Sequence, residues 1–257
     1  IPLKFWPDGL SVDAALGCMF MDLPKMSRNP YFGSEEAFSS ERFDNLMLVC
    51  RLDAYTVAEA KALVDRAIKA KARKGLFLLD GDPSRNAKGP GYKLQNDALD
   101  LAARVLEQKG YEVRLDQTQA FIGGLSGLMG IATWGSNHKG FSASGYRGLR
   151  FEPGSIGETL VSTSGRTFSP TSGGQSLVAD LISGGITGIK GYVSEPYTAA
   201  LANVAFLFDR YTSGFSLAES FYAASPMIRW KGVVIGDPLL RPYPEQKCLV
   251  RLKPEGD

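Results

Sequence analysis

The chain has 257 residues, 44% hydrophobic and 22% charged, with a net charge of +2. That length and balance suit a globular α/β-sized domain with a real core, while the small net charge argues against nucleic acid and anionic membrane surfaces as partners, and no apolar run approaches the roughly 20 residues that span a bilayer. The one histidine, His138, excludes any scheme needing two and any multi-histidine metal site, and the odd trio Cys18, Cys50 and Cys248 argues against a disulfide framework, leaving room for one bridge at most.

The opening Ile1-Pro2-Leu3-Lys4-Phe5-Trp6 reads as a mature or truncated form, with sequence missing before it. Residues 1–44 are expected to be an irregular segment packed on the domain; 22–42 are rich in Pro, Ser, Asn and Gly. The domain proper is expected over 45–243, and 244–257 as a tail. Leu46–Cys50 is a continuous apolar run, the pattern of a strand covered on both faces. Thr56 with Glu59 three residues on makes a capping box for a helix with Ala60, Leu63, Val64, Ala67 and Ile68 on its apolar stripe, stopping at Gly75. Residues 75–79 read as a strand ending in Asp80-Gly81-Asp82-Pro83. A helix over 94–109 ends at Gly110, and strands follow at 111–115 and 128–134. Ile156–Val161 reads as a short helix or an approach to a strand. A helix over 175–183, a strand over 186–193, helices around 200–211 and 216–224, and an apolar Val233–Ile235 complete the chain. Strands alternating with helices predict a three-layer α/β/α fold with a mostly parallel central sheet.

Ligands of such sheets bind beyond the carboxyl ends of the strands. Arg51 and Asp53, Asp80 and Asp82, the run Ser136-Asn137-His138, the run Ser162-Thr163-Ser164 with Arg166, and Glu195 with Tyr197 each follow a predicted strand, so one rim should gather them. The Ser162–Arg166 stretch combines small hydroxyl residues, a glycine for close backbone approach, and an Arg able to pair with a carboxylate. Lys190, inside an apolar strand, requires a partner, with Glu195 or an aspartate the candidates. No cofactor is expected: Gly123, Gly124 and Gly127 do not form a dinucleotide fingerprint, and 87–93 lacks the Walker spacing. A divalent ion at Asp53, Asp80 and Asp82 is the one metal site these residue types allow.

The stretch from about Leu128 to Tyr243 resembles the gingipain branch of the caspase-like fold. An apolar strand runs into Gly135-Ser136-Asn137-His138, where gingipain-like peptidases carry a Gly-His-Gly. Val161-Ser162-Thr163-Ser164-Gly165 stands where they carry Ala-Cys-x-Ser/Thr-Gly. Gly184-Gly185 and Gly236-Asp237-Pro238 match their closing motifs. More closely, 134–137, 161–168, 188–197 and 230–238 are similar to an uncharacterised bacterial family that is often exported. The resemblance implies a caspase-like fold and an extracellular or periplasmic location. It also implies a lost dyad, since Ser162 replaces the cysteine and Ser136 the histidine, with His138 displaced by two.

Three functions follow as expectations. The first is a pseudo-peptidase binding a peptide, glycan or protein partner. The second is a serine-type hydrolase acting on peptide bonds through Ser162 or Ser164 with His138. The third is a structural component of an extracellular assembly, with Tyr31 and Phe32 as contacts in self-assembly and Trp6 either a further contact or, by preference, a core residue.

Overall fold

The computed structural model describes residues 9–73 and 75–252. In chain order the elements are α1 (Val12–Gly17), β1 (Ser27–Arg28), α2 (Val57–Lys69), β2 (Leu76–Asp80), α3 (Pro90–Gln108), β3 (Glu112–Asp116), β4 (Leu128–Thr133), α4 (Ala143–Arg147), β5 (Phe151–Thr159), α5 (Val178–Ser183), β6 (Gly188–Tyr192), α6 (Val204–Thr212), α7 (Leu217–Ala224), β7 (Met227–Ile228) and β8 (Gly232–Ile235). Six strands form the central sheet in the order β3-β2-β4-β5-β6-β8, parallel throughout except for the antiparallel β6–β8 pair. The α/β class and the mostly parallel sheet are as the alternation of elements predicts.

Successive residues of a strand point to opposite faces, and β2 shows the result. Phe77 and Leu79 enter a core with Leu99, Phe208, Tyr211 and Phe221, from α3, α6 and α7. Leu78 enters a second core with Leu63, Tyr146 and Leu181, from α2, α4 and α5. The central strands are therefore covered on both sides, which is why their sequences are apolar runs. The third core, under the N-terminal segment, centres on Tyr31, Leu46 and Ile228.

Helix α2 starts as its sequence requires, with the Thr56 hydroxyl accepting the Glu59 N–H. It ends at Lys69, well before Gly75; Ile68 is already 77% exposed. Residues 151–159 resolve the choice left open around Ile156: they form strand β5, paired with β4 and β6.

Four expectations are corrected. Residues 46–50 are not a strand. The Met47 N–H bonds the Gly17 carbonyl, the Val49 N–H and carbonyl both bond the Tyr222 hydroxyl, and only Arg51 bridges to the sheet, beside Ile235. The segment runs along the outer edge of β8, with Leu46 fully buried and residues 47–50 half-buried; that packing gives it a strand-like composition. Tyr31 is fully buried and its hydroxyl donates to the Glu36 carbonyl, so it is no assembly contact. Phe32 packs edge-on against Phe206, and Trp6 lies outside the described residues. The three cysteines are free thiols, which removes the one bridge the sequence allows. Residues 248–250 of the expected tail pack on the core: the Leu249 and Val250 N–H groups both bond the Asp209 carboxylate, which is fully buried with Arg210 and Lys109 as its cations.

Candidate functional site

The parallel strands bring the ends of β2, β4, β5 and β6 to one rim. Trp134 closes β4; its indole N–H donates to Asn96 Oδ1 at 2.9 Å, its ring stacks on Tyr92, and the Arg85 guanidinium lies over it at 5.1 Å. The chain then turns sharply at Gly135, with φ at +47°. A Cβ there would meet Ser176 Oγ at 2.8 Å and Val161 Cγ2 at 2.9 Å, so both the conformation and the space require glycine.

This turn carries Ser136 and Asn137 against the loop that follows β5. The Ser136 N–H donates to Ser176 Oγ at 3.1 Å, and the Ser176 N–H returns a bond to Ser136 Oγ at 2.9 Å. Asn137 Nδ2 donates to the Leu160 carbonyl at 2.8 Å, and Gln175 Nε2 donates to Asn137 Oδ1 at 3.0 Å. Gln175 Oε1 in turn accepts from the Thr163 N–H and hydroxyl. The Asn137 and Ser164 loops are thus side by side on the same rim, latched by Gln175 and Ser176. Neither latch residue is singled out by sequence reasoning. The only signal is the polar run Gly173-Gly174-Gln175-Ser176 before α5.

Ser164 is fully buried, and its oxygen accepts the Thr159 hydroxyl at 2.9 Å. Next to it, Gly165 lies so close to β6 and β8 that a Cβ would meet Val233 Cγ2 at 2.8 Å. Arg166 does not face outward for a carboxylate. It donates to the Thr163, Gln175 and Gly173 carbonyls and pins its own loop. Ser162 is half-buried, and among the described residues its hydroxyl has no hydrogen-bond partner.

His138 is 3% exposed. Its Nδ1 accepts the Gly140 N–H at 3.0 Å, which leaves the ring proton on Nε2, 3.0 Å from the Gly81 carbonyl it donates to. An imidazole with both nitrogens spent on backbone cannot take a proton from a serine without breaking one of those bonds. The expected pairing of His138 with Ser162 or Ser164 is therefore corrected: neither hydroxyl is bonded to the ring.

Asp80 and Asp82 flank the Gly81 carbonyl. Asp80 is fully buried and accepts the Thr133 hydroxyl at 2.9 Å and the Ile122 N–H at 3.2 Å; burial raises its pKa to about 6. Burial acts on Asp82 in the same direction, but the Ser84 hydroxyl and the Lys139 N–H outweigh it and hold that carboxyl below its usual range. Both aspartates brace loops. The backbone of Arg51 stands beside Ile235, whose other neighbour is Ile189 near the start of β6, while its guanidinium reaches to 5.8 Å from the centroid of the Phe168 ring, just after the Ser162–Arg166 stretch. It forms a bidentate pair with Asp13 and a longer one with Asp53. Among the described residues no three His, Cys, Asp or Glu side chains are placed to share a metal.

The end of β6 completes the rim. Glu195 Oε1 accepts the Tyr197 N–H at 3.0 Å and holds that residue at φ +62°. The Tyr197 ring, 52% exposed, stacks on Trp230, whose indole N–H donates to the Pro196 carbonyl. Lys190 finds neither Glu195 nor an aspartate. Its ammonium donates to Ser225 Oγ at 2.6 Å, and its neighbour in register is Glu158 on β5.

The rim therefore offers an unassisted hydroxyl at Ser162 and an exposed aromatic platform at Tyr197. No protein-family model matches the chain, and no curated protein matches it.

Proposed function

We propose that this chain is a caspase/gingipain-like domain whose catalytic dyad is lost, and that its rim binds a peptide, glycan or protein partner without cleaving it. One observation carries this reading: both ring nitrogens of the chain's one histidine are bonded to backbone groups, Gly140 N–H and Gly81 carbonyl. Ser162, at the position of the family's cysteine, has no base to activate it, and an unactivated hydroxyl is a weak nucleophile at neutral pH. Ser164 is sealed beneath the loop with its oxygen already accepting from Thr159. The exposed Tyr197 ring and the half-buried Ser162 are what such a rim presents to a partner. The resemblance to an exported family is the ground for placing the chain outside the cytoplasm.

The test is labelling of the folded protein with a fluorophosphonate probe, alongside hydrolysis of a mixed peptide library. The expected result is no covalent adduct and no cleavage, in the wild type and in Ser162→Ala alike. An adduct on Ser162, lost in Ser162→Ala together with peptide cleavage, refutes the proposal and establishes a serine hydrolase.

A further inference from the structure

A second site lies between α1, the 46–49 segment, the end of α7 and β8, with Trp230 shared with the rim. A cavity of about 50 Å³ opens there, with Ala14, Leu46, Val49, Ile228 and Val234 among its walls and Lys190 and Ser225 contributing polar atoms. Lys190 is 4% exposed. Of its three N–H donors, one bonds Ser225 Oγ, and the ammonium lies 5.2 Å from the centroid of the Tyr192 ring. Among the described residues no carboxylate comes within ion-pair distance of it. Two donors of a buried ammonium are thus left without a protein acceptor, an arrangement that costs free energy unless something fills it.

No carboxylate pairs with that ammonium. Glu158, the register neighbour, gives one oxygen to the Tyr192 hydroxyl, and its other oxygen is buried without a partner. Burial pushes Glu158 and Lys190 each toward the neutral form, and the charge of each opposes the shift of the other. Asp13, also on the cavity wall, is held by the bidentate bond from Arg51. The Ser225 hydroxyl donates to the Phe221 carbonyl and so offers Lys190 only its lone pairs, fixing where the ammonium points. Gly232 makes room for the lysine: a Cβ there would stand 3.1 Å from Lys190 Cε.

We propose that this cavity binds a small aliphatic monocarboxylate, with its carboxylate on the two unused N–H donors of Lys190 and its chain against Ala14, Leu46, Val49, Ile228 and Val234. The two unused N–H donors of Lys190 suit one carboxylate, and Arg229, also on the cavity wall, adds a second positive charge. The apolar walls select a short acyl chain over a free inorganic anion. The inference does not depend on what the rim does.

The test uses the full chain and butyrate as probe, by calorimetry and by chemical-shift titration, with butyramide and chloride as comparators. Butyrate is expected to bind saturably, at least roughly tenfold tighter than butyramide, with Lys190→Met removing that preference. Ala14→Leu, which narrows the cavity and leaves every polar group in place, is expected to weaken butyrate by a similar factor without loss of circular-dichroism signal. Absent butyrate binding, equal binding of butyrate and butyramide, competition by chloride at equal concentration, or full binding by a folded Ala14→Leu each overturns the proposal. Should Lys190→Met fail to fold, the Ala14→Leu and butyramide results decide it.

Discussion

Glu158→Gln isolates the cost of a buried carboxyl. Glu158 is fully buried on the face of β5 that meets Tyr192, with one oxygen on the Tyr192 hydroxyl at 2.7 Å and the other unpartnered. Burial raises its pKa from the ordinary 4.5 to about 8. The folded chain therefore holds a proton that the unfolded chain releases. The stabilisation is complete below pH 4.5 and is lost as pH rises toward 8. Over pH 5 to 8 a difference of this size removes about 3 kcal/mol. With a urea m-value of about 3 kcal/mol/M, expected for a chain of this length, that is a fall of about 1 M in the unfolding midpoint. Glutamine keeps the acceptor for Tyr192 and carries no titrating proton, so the variant lacks this component. Asp80, whose raised pKa acts in the same direction between 3.8 and about 6, is common to both proteins and cancels in the comparison. Lys190, whose pKa burial lowers, contributes with the opposite sign and only above about pH 8. Urea midpoints at pH 5, 6, 7 and 8 read the difference directly. Parallel pH profiles for wild type and Glu158→Gln would refute the reasoning.

Other substitutions separate braces from bystanders. Asp209→Ala leaves Arg210 and Lys109 buried without their carboxylate and frees two backbone N–H groups, so urea unfolding should show a loss of about 3–5 kcal/mol. Ser164→Ala strands the buried Thr159 hydroxyl and should cost about 1–3 kcal/mol, whereas Ser162→Ala should stay within about 0.5 kcal/mol; equal effects in thermal unfolding would contradict the placement of the two serines. His138→Ala removes the partners of Gly81 and Gly140 together and should destabilise by roughly 2–3 kcal/mol in the same assay.

Much of this was legible in the residues. Parallel strands covered on both faces must be apolar runs, and β2, β4 and β6 are found within a residue or two of where those runs predict them. Leu46–Cys50 misleads because burial at a sheet edge selects the same side chains as membership of the sheet. The meeting of the Asn137 and Ser164 loops follows from topology, since parallel neighbours end on one rim. What holds them there did not show, because Gln175 and Ser176 act across some 40 positions of sequence. The fate of His138 was equally hidden: its partners are a carbonyl and an N–H, which every residue type but proline supplies. Lys190 announced itself as a buried charge, but its neighbour Glu158 is set by the register of two strands.

The proposed loss of catalysis rests on the state of one imidazole, and the chain has only one. A nitrogen-15 spectrum of uniformly labelled protein at neutral pH therefore reports His138 without assignment ambiguity. The account predicts a single tautomer, with the proton on Nε2 and a hydrogen-bonded, unprotonated Nδ1. Averaged tautomers, or a proton resident on Nδ1, would contradict it.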